Sequence, residues 1–206
     1  MRPGPIGAAC KRLLDIAGAV CGLVILSPVI GAVAIAVRAS MGRPILFRQV
    51  RAGLNGRPFT LYKFRTMLES SSAEIDPSTD AARLTNIGAL LRNLSLDELP
   101  QLWNVLKGEM SLIGPRPLLM EYLPHYSAEQ SRRHWMKPGI TGLAQIRGRN
   151  AVTWEEKFAW DVSYVDHWSL ALDLRILLAT IAKVIRREGI SQEGHVTTEK
   201  FGAERQ

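Results

Sequence analysis

From Leu13 to Val37 the chain is almost continuously apolar, with one interruption at its middle, Ser27-Pro28. Ile16 to Val37 is long enough to cross a hydrocarbon core of ~30 Å as a straight helix, so length alone leaves the topology open. Two other features bear on it. A mid-helix proline costs ~3 kcal/mol unless the chain bends there. Basic residues also flank both ends, with Arg2, Lys11 and Arg12 before the run and Arg38, Arg43, Arg48 and Arg51 after it. If basic flanks stay cytoplasmic, a simple crossing leaves one flank on the wrong side. A hairpin that enters one leaflet, turns at Ser27-Pro28 and returns satisfies both, and keeps its backbone hydrogen bonds internal. The expectation is a re-entrant helix hairpin. A kinked spanning helix is the competing topology. A cleavable signal peptide is a third, with Ala34-Ile35-Ala36 resembling a cleavage site, although the run exceeds the ~7 to 15 residues of a signal core.

The remaining composition narrows the partners. With 26 Lys+Arg against 19 Asp+Glu in 206 residues, the formal charge is +7. That balance suits nucleic acid, an anionic membrane surface or a phosphorylated substrate, and the apolar run puts the membrane first. Cys10 and Cys21 lie in or beside that run, so no disulfide framework is indicated. His125, His134, His167 and His195 are too scattered to propose as zinc ligands. No internal repeat, P-loop, dinucleotide fingerprint or nucleophile elbow is present.

After Met41-Gly42, Pro44 to Arg48 and Phe59 to Arg65 read as strands of a loose hairpin around the turn-rich Ala52 to Gly56. In an extended chain Lys63 and Arg65 share a face suited to a diphosphate, or serve as solvated gatekeepers on an edge. Glu69 to Asp80 is a polar, Ser-rich loop, and Ile87, Leu90, Leu91 and Leu94 mark a helix that carries Arg92. Then comes the stretch with the strongest chemical content, Ser95-Leu96-Asp97-Glu98-Leu99-Pro100-Gln101-Leu102-Trp103. Leu99, Leu102, Trp103 and Leu106 have helical spacing, and Pro100 is tolerated only in a first turn, which predicts a helix starting at or just before Asp97. A helix N-terminus favours ionised carboxylates. The same letters also fit a capping box, in which Glu98 merely closes the helix end. Cations on either side, Arg92 and Arg116, point instead to a site for a phosphate and a divalent metal.

Met110 to Ile113 reads as a strand ending in Gly114-Pro115-Arg116-Pro117, where two prolines restrict the backbone around Arg116, as an organised cation or as a rigid turn. Ser127-x-x-Gln130 opens a helix rich in Arg132, Arg133, His134 and Trp135, a mixture that suits a membrane interface or a solvated face. A short strand is expected around Leu143 to Ile146, followed by the loop Arg147-Gly148-Arg149-Asn150. Thr153-x-x-Glu156 caps a further helix with Asp161. The last helix, about Leu170 to Glu188, carries Leu170, Leu174, Leu177, Ile181 and Val184 on one face, to pack in the core or lie on lipid. The tail after Gly189 is polar.

Taken in order, the interrupted apolar segment, Tyr62 to Met67, Arg92 to Leu102, Ser111 to Pro117 and Pro138 to Gly142 resemble the bacterial sugar transferases, specifically the small monotopic phosphoglycosyl transferases. The resemblance runs from about Lys11 to Gly189. It implies transfer of a sugar-1-phosphate from a nucleoside-diphosphate sugar, expected to be a UDP-sugar, to a polyprenol phosphate such as undecaprenyl phosphate, with release of the nucleoside monophosphate. This is the first membrane step of a bacterial glycan. In such enzymes an aspartate is the covalent nucleophile, and by motif position that is Asp97 here. Glu98 corresponds to the Mg²⁺ ligand, Lys63, Arg65, Arg92 and Arg116 to phosphate or nucleotide contacts, and Arg149 and Asp161 to further substrate contacts. Arg147 stands where a smaller polar residue is usual, and Asp173 matches an acidic position of structural character.

The expected fold is α+β, mostly helical and membrane-associated, with the re-entrant hairpin, short strands and amphipathic interfacial helices. Residues 1–40 form the tail and hairpin, 41–189 the catalytic domain and 190–206 a polar tail; without the extra transmembrane helices of larger members this is the minimal catalytic form. The implied place is the cytoplasmic face of the inner membrane, with the lipid bilayer as partner, no nucleic acid, and a homodimer left open. The alternative function is a non-catalytic membrane scaffold for glycan-assembly enzymes.

Overall fold

The computed structural model describes residues 4–69, 80–147, 153–186 and 201. Two helices, α1 (Pro5–Ile25) and α2 (Ser27–Met41), replace the apolar run, meeting at Leu26 with a bend of 63°. The cause is local. Pro28 has no N–H to give the Val24 carbonyl one turn back, and the Ser27 hydroxyl donates to that carbonyl instead, at 2.8 Å. No single helix among the described residues is long and apolar enough to cross a membrane, whereas the bent pair together is.

One side of α1 is docked on the rest of the chain by buried polar groups. Lys11 Nζ pairs with Asp173 Oδ2 at 2.6 Å, and Asp15 Oδ1 accepts from Ser111 Oγ and Leu112 N, each at 2.9 Å. Arg12 donates to the Val105 and Leu106 carbonyls, in the last turn of the helix Gln101–Lys107. Gly18 permits the close approach, since a Cβ there would lie 2.6 Å from Leu112 Cδ1. The opposite side exposes Leu13, Leu14, Val20, Val24 and Ile25.

Strands β1 (Leu46–Ala52) and β2 (Pro58–Phe64) pair antiparallel from Leu46↔Phe64 to Ala52↔Pro58, so the hairpin is longer and tighter than its turn-forming residues imply. A short helix, α3 (Asp80–Arg83), precedes α4 (Asn86–Asn93), which Thr85 caps through Gly88 N, and α5 (Gln101–Lys107) follows. A second sheet pairs β3 (Ser111–Ile113) parallel to β4 (Gly139–Thr141). Gly139 is required there because a Cβ would sit 2.1 Å from Gly114 N. Three helices complete the chain: α6 (Leu143–Arg147), α7 (Trp154–Asp166) and α8 (Leu170–Arg186).

The core has three parts. Ala19, Phe59, Leu61, Leu102, Val105 and Met110 join α1, β2 and α5. Val33, Val37, Met41, Phe64 and Leu91 join α2 to the open end of the hairpin and to α4. Ile113, Met136, Leu143, Tyr164, Val165 and Ile176 join the second sheet to α6, α7 and α8.

The α+β class stands, and three local expectations are corrected. Leu143 to Ile146 is helical, because the strand is completed upstream at Gly139–Thr141, where the glycines allow the two backbones to meet. The segment opened by Ser127 and Gln130 does begin with their reciprocal hydrogen bonds, but it is a 3-10 turn, Gln130–Trp135, in which Arg133 and His134 are buried. It is therefore not a free basic face. On α8 the core side is Asp173, Ile176 and Leu177, while Leu174, Leu178 and Ile181 are exposed, so of the apolar face read from periodicity only Leu177 packs in the core. The polar loop at Glu69 to Asp80 and the tail after Gly189 fall almost wholly outside the described residues.

Candidate active site

The acidic pair sits where α4 gives way to α5. Ser95 adopts a left-handed conformation (φ 55°), Leu96–Glu98 form one 3-10 turn, and α5 starts only at Gln101. The predicted helix start is thus displaced by several residues, for a reason set by Pro100. An α-helix begun at Asp97 would soon need a donor at position 100, whereas the observed bonds Leu99 N→Leu96 O, Leu102 N→Leu99 O and Trp103 N→Pro100 O need none there. The capping box does not form. The Ser95 side chain makes no cap, and the Glu98 carboxylate points elsewhere.

Glu98 Oε1 receives two cations, Lys63 Nζ at 2.6 Å and Arg116 Nη2 at 3.0 Å, and Lys63 Nζ also lies 3.8 Å from Asp97 Oδ2. Asn104 brings these groups together. It is fully buried, accepts from Tyr62 N at 3.2 Å and donates to the Thr60 carbonyl at 2.7 Å, which stitches α5 to β2 and sets Lys63 against the acidic turn. Burial pushes the Glu98 carboxyl up, but Lys63 and Arg116 outweigh it and hold it at about 2. Asp97 goes the other way. Burial raises it, Lys63 opposes, and the neighbouring Glu98 charge raises it further. The α-helix N-terminus expected to favour an ionised Asp97 does not begin there, because α5 starts only at Gln101. Two adjacent carboxylates with opposite shifts divide the labour: a fixed anion on which cations converge, and a less stabilised one with electrons to donate.

The other expected residues divide. Arg92 donates from Nε to Thr66 Oγ1 at 3.1 Å, and its charge reaches Asp97. Arg65 is buried, donates to the Met41 carbonyl at the end of α2 and faces Glu69 Oε1 at 3.4 Å, so the structure does not bring it to the acidic pair. Asp161 is buried against Arg133, whose Nη2 lies 2.7 Å from Asp161 Oδ2 and 2.7 Å from the Arg116 carbonyl. It reaches the site only through that arginine. Asp173 holds Lys11, Tyr164 Oη and Trp168 Nε1. The Arg147 guanidinium stacks 4.9 Å from the Trp160 centroid. Arg149 lies outside the described residues. Sequence reasoning missed Asn104 and the inward role of Arg133. A polar residue amid the apolar spacing of α5 was the available signal for Asn104; Arg133 had none, its partner being 28 residues away.

A direct consequence concerns Lys63. In Lys63→Met one of the two cations that oppose burial is gone, so the Glu98 pKa rises from about 2. Because the native value is depressed, Glu98 contributes stability above its unfolded pKa of ~4.3 that is lost as pH falls through about 2. The variant loses that contribution at higher pH, and a ¹³C titration of the Glu98 carboxyl measures the shift. An unmoved titration would show that Arg116 alone holds the charge.

Residues 6–187 match the family model described as bacterial sugar transferase, and the chain belongs to that family. It is 56% identical over 191 residues to the uncharacterized sugar transferase EpsL of Bacillus subtilis, covering 93% of this chain and 95% of that protein. It is 40% identical over 202 residues to the exopolysaccharide production protein ExoY of Sinorhizobium fredii, covering 90% and 89% respectively. With the UDP-glucose:undecaprenyl-phosphate glucose-1-phosphate transferase of Klebsiella pneumoniae it shares 40% identity over 188 residues, 86% of this chain but only 40% of that longer protein. A phosphoglycosyl transferase, rather than a scaffold, is what these similarities support.

Proposed function

We propose that this protein transfers a sugar-1-phosphate from a UDP-sugar to undecaprenyl phosphate on the cytoplasmic face of the bacterial inner membrane, through a covalent phosphosugar on Asp97. The observation that carries the reading is the pairing of a buried, upshifted Asp97 with a Glu98 on which Lys63 and Arg116 converge. Phosphoryl transfer to an anion is limited by charge repulsion, and fixed cations remove it. An Asp97 carboxylate oxygen bonds to the sugar-bearing phosphorus while the bond to the bridging oxygen breaks, and the electron pair leaves with the nucleoside monophosphate. No proton need move. The acceptor's phosphate oxygen then attacks the same phosphorus and expels Asp97. Soluble donor and lipid acceptor thus never share the site.

The donor set also suits Mg²⁺, which takes one or two carboxylates together with substrate phosphates. With Lys63 and Arg116 both on Oε1, Glu98 keeps Oε2 for the ion, which when bound supplies charge neutralisation to the phosphates. The exposed apolar residues of α1 and α2 support immersion of the bent pair in lipid as a re-entrant hairpin.

Incubation with a UDP-sugar and Mg²⁺ in the absence of lipid tests the chemistry: the protein gains the mass of a sugar phosphate and releases uridine monophosphate. No adduct together with no release would end this reading. For the topology, single cysteines at positions 2 and 43, in a chain without Cys10 and Cys21, are both expected to react with an impermeant thiol reagent only from the cytoplasmic side. Labelling of the two positions from opposite sides would instead mean a spanning helix.

A further inference from the structure

The proposed chemistry leaves a charge unaccounted for. When the bridging bond breaks, the nucleoside monophosphate departs with one more negative charge than it carried in the donor, and Lys63 and Arg116 are already engaged with Glu98. Besides Arg133, which pairs with Asp161, two further cations lie near Arg116. Arg51 is on the same face of the hairpin as Lys63, because Arg51 pairs with Phe59 and Lys63 with Phe47, four positions along. Its Nη1 donates to the Pro117 carbonyl at 3.4 Å, next to Arg116, and its Nη2 to Gln49 Oε1, while its buried Nε finds no hydrogen-bond partner. Lys157 lies one helical turn before Asp161 on α7, on the side where Asp161 meets Arg133 and Arg133 meets the Arg116 carbonyl. Its ammonium rests 4.7 Å from the Trp154 centroid, and no carboxylate among the described residues pairs with it. Burial and the Arg116 charge lower both groups, Arg51 to about 10, and the Glu121 and tyrosine charges near Arg51 only partly compensate. Glu98 and Glu121 offset only part of this positive charge, and an excess of like charges held together suits an anion.

We infer that Arg51 and Lys157, converging with the half-exposed Arg116, form the subsite that receives the phosphate of the departing nucleoside monophosphate. This rests on the donor chemistry proposed above. The polyprenol phosphate carries the same kind of group, but the placement favours the nucleotide. Helix α2 packs at the Leu46 and Phe64 end of the hairpin, and Arg51 lies five residues further along, about 17 Å at the rise of a strand. Arg51 is therefore on the side of Lys63 remote from α2.

Titration calorimetry of the full-length protein without Mg²⁺, using uridine monophosphate and separately farnesyl phosphate as a short acceptor, tests the assignment. In Arg51→Gln and Lys157→Gln, affinity for uridine monophosphate is expected to fall about 10-fold or more, as for loss of a charge-assisted phosphate contact, with farnesyl phosphate affinity unchanged. Lys157→Gln carries the prediction alone if the more buried Arg51 variant does not fold. Unaltered uridine monophosphate binding in the variants, none in the native protein, or a loss confined to farnesyl phosphate would each overturn it. Failure to form the Asp97 adduct would remove the covalent mechanism and leave this binding result to be judged separately.

Discussion

Asp97→Asn is expected to lose turnover by at least ~10³-fold and to form no phosphosugar adduct, while unfolding at the same temperature as the native protein or a higher one. Both halves follow from one position. The amide keeps the size and most of the hydrogen-bonding capacity of the carboxyl but has no anionic oxygen to attack phosphorus. The stability half follows from the sign of the shift. Asp97 is raised in the folded chain by burial, with Lys63 opposing, so its ionised form is held less well there than in the unfolded chain. A raised carboxyl favours the fold when protonated and costs stability as pH climbs through its unfolded and then its folded pKa. At neutral pH that cost is present, and asparagine removes it. Lys63 keeps Glu98 in the variant, so no buried cation is stranded. The same shift places the acid limb of native adduct formation above the ordinary aspartate value of ~3.9, with Glu98 still ionised there. Mass spectrometry of the adduct, steady-state turnover and thermal unfolding at pH 7 measure these together. A marked fall in Tm would assign Asp97 to the scaffold, and retained turnover would remove it from the chemistry.

The second large effect is on stability. Asp161 and Arg133 are each only 2% exposed, and Arg133 meets Asp161 Oδ2 through both Nε and Nη2. Removing one partner of such a pair leaves a buried charge uncompensated, at a cost of ~3 to 5 kcal/mol. For a chain of this size that is a fall in Tm of roughly 6 to 20 °C in Asp161→Ala. Replacing both partners with apolar residues, as in Asp161→Leu with Arg133→Met, should restore much of the stability, because the desolvation cost of the pair is then removed as well. Turnover should not return. Arg133 also donates to the Arg116 carbonyl, and without it the arginine that meets Glu98 loses part of its support. Melting curves of the single and double variants, read beside activity, separate this positioning role from direct substrate contact. A substrate ligand would lose activity in Asp161→Ala with little change in Tm.

Expectation and structure part company at a recognisable scale. The break at Ser27-Pro28 and the Thr153 and Glu156 capping box depend on atoms within about one helical turn, and each appears where the spacing places it, whereas of the apolar stripe of α4 Leu91 is buried and Leu90 exposed. The start of α5 is misplaced by the same kind of local reading, because apolar spacing does not register that a helix begun at Asp97 needs the donor that Pro100 lacks. What becomes of Glu98 is decided by packing: Lys63 and Arg116, brought from 35 and 18 residues away, draw it out of any cap. Lys63 and Arg65 were indistinguishable as neighbours on one extended segment. Pairing in the sheet ends at Phe64, and beyond it Arg65 turns to the end of α2.

The amino-acid order alone therefore determined the helix pair and its hinge, the adjacent carboxylates, the proline-bounded arginine and the ordered motifs that identify the chemistry, since these are properties of short stretches of backbone. Tertiary structure alone decided which charges are buried and with whom: Arg133 with Asp161, Lys11 with Asp173, Asn104 between α5 and β2. The reason is that solvation and Coulomb energies depend on distance in space and on exclusion of water, and neither is written in the spacing of residues along a chain.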